Sequence, residues 1–344
     1  MADLPQADQA EGCPHPRDVY DLLGHERAEA TFLKAEAAGR LHHAWLITGP
    51  AGVGKATLAY RMIRHLLGGR SLLEGGLDIP ADDPVSGRIA AQGHGNLHVV
   101  KRPYDDKGKK LKSEIPVAAI RKLTDFFQET AAEEGLPRIG LIDKGDELNT
   151  SSENAVLKLL EEPPENGMLI LLADAPGRLL PTIRSRCLSL DLRPVPDAQL
   201  SPWAAARTGL SGQDLERIVW LSRGSPGRAM ALHSARDEVV KPLSAVAEAL
   251  AGGRRVNAMM LVGGLSGVKN RRERALFWAG LQDILAEAAR LSGGEEWGAP
   301  FPAPKSPQDW ARLYGEAVER ERLEAEINMD QRASLLEILA KVAA

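Results

Sequence analysis

Ala44-Trp45-Leu46-Ile47-Thr48, followed at once by Gly49-Pro50-Ala51-Gly52-Val53-Gly54-Lys55-Ala56-Thr57, is the stretch that decides the fold. The first five residues read as a buried strand. They empty into a run matching G-x-x-x-x-G-K, a loop whose backbone amides wrap phosphates while the lysine reaches the terminal ones. Thr57 to Leu67 carries the pattern of the helix behind it, so the helix N-terminus faces an anion held in the loop. The pattern breaks at Ala56, where a Ser or Thr hydroxyl would hold magnesium. Loss of that oxygen impairs metal-assisted hydrolysis more than binding.

Outward from this stretch, short apolar runs alternate with helical patterns, as a doubly wound parallel sheet requires. Leu97 to Val100 is a second short strand, and Ile115 to Thr130 a helix with Pro116 in its first turn and an apolar stripe of Ile120, Leu123, Phe126 and Phe127. Ile139 to Ile142 delivers Asp143 to the carboxyl edge of the sheet, where ligands bind in such folds. Thr150 and Glu153 form a capping-box pattern for a helix through Leu160, and Met168 to Ala173 reads as a strand buried on both faces. After Cys187-Leu188-Ser189-Leu190, Pro194 and Pro196 interrupt the chain, and helical patterns follow to the end, broken by a Gly- and Pro-rich loop from Ser292 to Ser306. The expected organisation is therefore a P-loop α/β domain over residues 1–193, a small helical domain over 194–238 and a larger helical domain over 239–344.

A length of 344 residues accommodates those domains, and 44% apolar with 26% charged residues is ordinary for a soluble protein. The net charge of −4 supplies no global positive field toward DNA, RNA or an anionic membrane, so any nucleic-acid role is shared with partners. The two cysteines, Cys13 and Cys187, lie far apart and form no C-x-x-C pair, which supports neither a disulfide framework nor a cysteine metal site and fits a reducing cytoplasm. Residues 1–17 lack the basic start and apolar run of a secretion signal, and no window approaches the length of a membrane span.

Further motifs carry a family resemblance. Glu161-Glu162-Pro163-Pro164, then Leu179-Leu180-Pro181-Thr182-Ile183-Arg184-Ser185-Arg186-Cys187, and later Gly224-Ser225-Pro226-Gly227-Arg228-Ala229, resemble bacterial clamp-loader subunits of the AAA+ class. Gly24-His25-Glu26 and Leu41-His42-His43-Ala44 are similar to that family as well, and the likeness runs from about Asp21 to Arg228 and more loosely through the helical end, where Asn328-Met329-Asp330 precedes the last helix. The resemblance implies an AAA+ sheet domain, a helical lid and an all-α collar. It also implies a role in DNA replication beside ATPase subunits of the gamma/tau type and a delta-type subunit, acting on a sliding clamp and primer-template DNA. It assigns Arg186 the part of an arginine finger that enters a neighbour's nucleotide site, a planar and permanently ionised donor for charge on a transferring phosphoryl group. Arg228 matches a nucleotide-sensing arginine of the lid.

Departures from the family pattern are as informative. Lys144 occupies the place of the glutamate that orients the attacking water, Ala173 lies near the first sensor without a hydrogen-bonding side chain, and residues 68–95 contain none of the cysteines of the zinc module many relatives carry, so no zinc is expected. The expected nucleotide site is thus a degenerate one for ATP or ADP, built from Gly49, Gly52, Gly54, Lys55, Thr57, Asp143 and Arg228, with hydrolysis not expected. Thr57 is turned by about 100° from the missing hydroxyl's direction and makes a poor substitute. The rival reading is an autonomous AAA+ ATPase that remodels DNA or protein through its own loop; a small-molecule kinase would need an acceptor base that the sequence does not offer. The basic cluster Lys107, Lys109, Lys110 and Lys112 adjoins Asp105 and Asp106 without interleaved aromatics, and reads as an exposed charged loop.

Overall fold

The computed structural model describes residues 6–10, 13–105, 110–129, 132–251, 271–292, 306–327 and 331–343. Its seven strands are β1 (Ala44–Thr48), β2 (Leu97–Val100), β3 (Tyr104–Asp105), β4 (Lys110–Leu111), β5 (Arg138–Ile142), β6 (Gly167–Ala173) and β7 (Leu188–Asp191). Five of them form one parallel sheet in the order β2-β5-β6-β1-β7, while β3 and β4 pair as a short antiparallel ribbon. The helices packed with the sheet are α1 (Glu26–Ala37), α2 (Lys55–Leu66), α3 (Pro84–Ala90), α4 (Val117–Gln128), α5 (Thr150–Glu161) and the single turn α6 (Pro181–Arg184).

Successive strand residues point to opposite faces, and β1 has a core on each. Trp45 and Ile47 join Phe32 of α1 and Leu58, Met62 and Ile63 of α2. Ala44 and Leu46 join Ile120 and Leu123 of α4, Val156 and Leu160 of α5, and Ile183 of α6. Fully burying an aliphatic side chain contributes about 1.5–3 kcal/mol, so the two cores fix both flanking layers, and with them the loops at the strand ends. A strand buried on both sides has no exposed face to alternate with, which is why its sequence runs apolar from Ala44 to Ile47 before Thr48 ends it.

Two local expectations shift at helix starts. Pro116 sits outside its helix, at the N-cap of α4 with extended backbone, so the first turn begins one residue later. The cap of α5 is Asn149, whose side-chain oxygen accepts from the Ser152 amide at 2.9 Å; Glu153 is turned away to accept from the Leu180 amide at 3.2 Å. Asn is as good a cap as Ser or Thr, and the tertiary contact to Leu180 claims the carboxylate that a capping box would use.

The chain divides into two compact units, one of Met1–Trp203 with Arg223–Arg228 and one of Ala204–Ser222 with Ala229–Ala344. The second unit is helical. It contains α8 (Gly212–Ser222) and α10 (Lys241–Ala251), with α7 (Asp197–Thr208) and α9 (Pro226–Ser234) each running across the division, and three long helices, Arg271–Ser292, Pro307–Ile327 and Gln331–Ala343. Their shared core holds Leu243, Phe277, Trp278, Leu281, Trp310, Leu313, Leu335, Ile338 and Leu339. Trp278 keeps its indole N–H satisfied by donating to Glu324 at 3.1 Å, and Glu324 also pairs with the buried Arg274. Lys107, Lys109, residues 293–305 of the Gly- and Pro-rich loop and Asn328-Met329-Asp330 lie outside the described residues.

Candidate functional site

The loop between β1 and α2 is shaped by positive-φ glycines, Gly49 at 143°, Gly52 at 74° and Gly54 at 121°. All three also crowd the place of a side chain. A Cβ on Gly49 would meet the Leu192 carbonyl oxygen at 2.3 Å, one on Gly52 the Ser225 Oγ at 2.7 Å, and one on Gly54 the end of the Leu22 side chain at 2.8 Å. The segment Ser225–Arg228 is bonded to the loop. Ser225 donates to the Ala51 carbonyl at 2.8 Å, the Gly227 amide donates to the Gly52 carbonyl at 2.9 Å, and the Arg228 amide donates to Ser225 Oγ at 3.3 Å. His25 bonds the Val53 carbonyl at 3.0 Å.

Lys55 is turned back into the protein. Its ammonium donates to the Gly49 and Pro50 carbonyls at 2.8 Å each and pairs with Asp174 at 2.5 Å, with only 7% of the residue exposed. Register explains the partner: β6 runs parallel to β1 with Ala173 opposite Thr48, so the next residue along, Asp174, arrives opposite the start of the loop. Asp146 holds that arrival point by accepting from the amides of Asp174 and Ala175 at 3.4 and 3.0 Å. Lys144, in the left-handed conformation at φ 58°, brings a second ammonium to 3.8 Å from Asp174 and 3.7 Å from Glu147.

Asp143 follows β5 directly, its amide donating to the Val100 carbonyl at 2.9 Å. Burial, reinforced by the carboxylate of Asp8, pushes it up to about 7 against the pull of Lys144 and Lys55. Asp8 itself is buried, and burial alone would raise it; bonds from His15 and Lys101, at 3.1 and 2.6 Å, more than offset that and take it down to about 2. A carboxylate holds magnesium through its ionised form, and burial disfavours that form at Asp143. With alanine at 56 and an ammonium at 144, the residues present do not fit a magnesium nucleotide. Among the described residues no group of three or more His, Cys, Asp or Glu side chains converges on a metal position.

The other predicted residue, Arg186, lies elsewhere on the sheet. It follows α6 and precedes β7, in a turn closed by the Arg186 amide on the Ile183 carbonyl at 3.1 Å. Its side chain is 38% exposed, donates to the Thr182 carbonyl at 3.1 Å and pairs with Glu161 at 2.9 Å. Cys187 beside it packs partly into the core, and burial pushes its thiol up to about 12, which leaves it un-ionised and without nucleophilic use. The structure therefore gathers Gly49, Gly52, Gly54, Lys55 and the backbone of Arg228 at one place, sets Asp143 within electrostatic reach of Lys55, and keeps Arg186 apart. Thr57 is half-buried in the first turn of α2. Asp174, Asp146 and Glu161 were not singled out from the sequence as site residues, because a carboxylate's partner is legible only when strand register is known.

A family model described as DNA polymerase III, delta subunit, matches residues 24–196, just over half of the chain. The chain belongs to this family. DNA polymerase III subunit delta' of Pseudomonas aeruginosa is 34% identical over 205 residues, covering 58% of this chain and 59% of the relative. The subunit delta' of Escherichia coli K12 is 33% identical over 199 residues, covering 57% and 55%. DNA polymerase III subunit gamma/tau of Mycobacterium tuberculosis is 31% identical over 186 residues, covering 53% of this chain and 29% of the relative. The aligned part of the chain thus spans little more than half the length of the delta' relatives. The resemblance carried by the Glu161–Pro164 and Ser185–Cys187 motifs is borne out at the level of family. The matched residues hold the phosphate loop, Asp143 and Arg186, whereas Arg228 lies beyond them. No helix among the described residues is long and apolar enough to cross a membrane.

Proposed function

We propose that this chain is a subunit of a DNA polymerase III clamp-loading assembly in which it lends Arg186 to the nucleotide site of a neighbouring ATPase subunit and does not hydrolyse ATP itself. The observation that carries this reading is where Arg186 stands relative to the chain's own loop. Strands β1 and β7 are parallel neighbours with Trp45 opposite Leu188. Gly49 lies four strand steps of about 3.3 Å, roughly 13 Å, beyond the Trp45–Leu188 pair, and Arg186 lies in the turn that precedes Leu188, off the opposite end of the strand. One arginine side chain does not span that distance. The guanidinium is exposed and out of reach of the chain's own loop, which supports a role toward a phosphate held by another chain, and its planar, permanently charged fork is what a developing phosphoryl charge requires.

The chain's own site supports the second half of the reading. Lys55 is neutralised by Asp174, the hydroxyl next to it is missing, and Lys144 cannot activate water. ATP or ADP could enter only by displacing Asp174 from Lys55, and turnover there has no metal ligand set to use. In this proposal the partners are ATPase subunits of the gamma/tau type and a delta-type subunit, which together open a sliding clamp and place it on primed DNA. The sheet domain, residues 1–193, presents Arg186; residues 194–238 serve as the lid and 239–344 as the collar that joins subunits.

The test is reconstitution with the neighbouring subunits of the same organism. Arg186→Ala should assemble normally by size-exclusion chromatography yet depress ATP turnover stimulated by clamp and primed DNA. An unchanged rate would refute the donation. Magnesium-dependent turnover by the purified chain alone would favour the autonomous ATPase instead.

A further inference from the structure

We infer that Glu161 is a positioning residue that holds the Arg186 guanidinium in its donating geometry; the inference rests on the donation proposed above and adds the residue that sets it up. Three observations converge. Glu161 is the last residue of α5, at the end of a helix whose C-terminal carbonyls make an anion unfavourable there. The carboxylate is nonetheless bonded to Arg186, Oε1 to Nη2 at 2.9 Å, and the Thr182 carbonyl takes Nη1 at 3.1 Å. Both terminal nitrogens are thereby tied on the protein side, while the side chain remains 38% exposed.

The helix that carries Glu161 also fixes the segment that carries Arg186. Glu153, one end of α5, accepts from the Leu180 amide at 3.2 Å, and Val156, Leu159 and Leu160 share a core with Ile183 of α6. At the other end Pro163 and Pro164 follow the helix cap, so α5 ends there and Glu161 cannot move along it. An exposed ion pair adds little to folding stability. Its effect is instead on conformational freedom: an arginine held in one rotamer before it meets a phosphate has less entropy left to lose on donation.

The experiment uses the reconstituted assembly. Glu161→Ala should lower kcat for ATP about fivefold, equivalent to about 1 kcal/mol, with KM and the thermal midpoint of the chain unchanged. Glu161→Asp should recover part of the loss, since it restores the charge on a shorter arm, and Glu162→Ala should be silent. In an Arg186→Ala background Glu161→Ala should cost nothing further. Full activity of Glu161→Ala and Glu161→Gln, with Arg186→Ala impaired, would overturn the positioning role and leave the donation standing. A further loss from Glu161→Ala in the Arg186→Ala background would show that Glu161 acts independently and would also overturn it. No effect of Arg186→Ala would reject the donation and the positioning together.

Discussion

Two neighbouring parallel strands carry the two functional regions at opposite ends. The loop after β1 is turned inward: its lysine donates to the loop's own carbonyls and pairs with Asp174, and Ser225 and Gly227 bond to it. The turn before β7 is turned outward: Arg186 is anchored by Glu161 and Thr182, and its side chain is still more than a third exposed. Both are cations next to carboxylates, yet burial separates their fates. A buried lysine must keep its counter-ion, because an uncompensated buried charge is strongly destabilising. An exposed arginine beside a carboxylate can still turn toward a phosphate at little cost. The same sheet therefore supports a withdrawn site and a presented one.

If that contrast is right, the largest effect should come from Arg186→Lys, which keeps the charge but loses the planar fork. Arginine fingers contribute about a thousandfold or more to turnover, so single-turnover hydrolysis at the neighbouring site should fall by at least about a hundredfold; near-normal turnover would mean that only charge matters. Next in size is the pH response of the inward site. Asp143 stands at about 7 in the folded chain against an ordinary value of 3.8, so the folded state holds its proton longer than the unfolded one. The contribution of this group to stability is then fully present below about pH 4 and is lost as pH rises through about 7, about 4 kcal/mol at most. Denaturant titrations at pH 5 and pH 8 should show that decline in the wild-type chain and its loss in Asp143→Asn; parallel curves would place the carboxylate in a more solvated setting.

Smaller again, Gly49→Ala should destabilise the chain by about 1–3 kcal/mol, because the loop backbone at φ 143° and the Leu192 oxygen at 2.3 Å both oppose a Cβ. A midpoint shift in urea measures it, and an unshifted midpoint would show that the loop can open away from Leu192. The smallest expected effect is the most discriminating. Lys55→Met should leave ATP turnover of the assembly within about twofold of normal, and a loss as deep as that of Arg186→Lys would erase the distinction between the two regions.

Much of this was legible before any coordinates. The strand is apolar from Ala44 to Ile47 because both of its faces are covered, and the glycine pattern after it has no cheap alternative conformation. What escaped was everything that depends on register. Ala173 marked the end of β6 as a place without a polar side chain, but pairing with Thr48 puts Asp174 one step further on, beside Lys55. Thr150 and Glu153 have the spacing of a capping box, but the chain caps with Asn149 and commits Glu153 to Leu180. Glu161 belonged to a recognisable motif whose individual side chains had no assigned partner.

The sequence by itself determined the kind of fold, the position of the phosphate loop and the absence of its metal-holding hydroxyl, since these are set by local backbone preference and by which atoms a side chain has. The tertiary structure decided where Lys55 finds its counter-ion, why burial weakens the acidity of Asp143, and that Arg186 lies at the opposite end of the strands from the chain's own loop. Those outcomes follow from strand order and register, which bring residues distant along the chain to fixed separations and give each a particular depth below the surface.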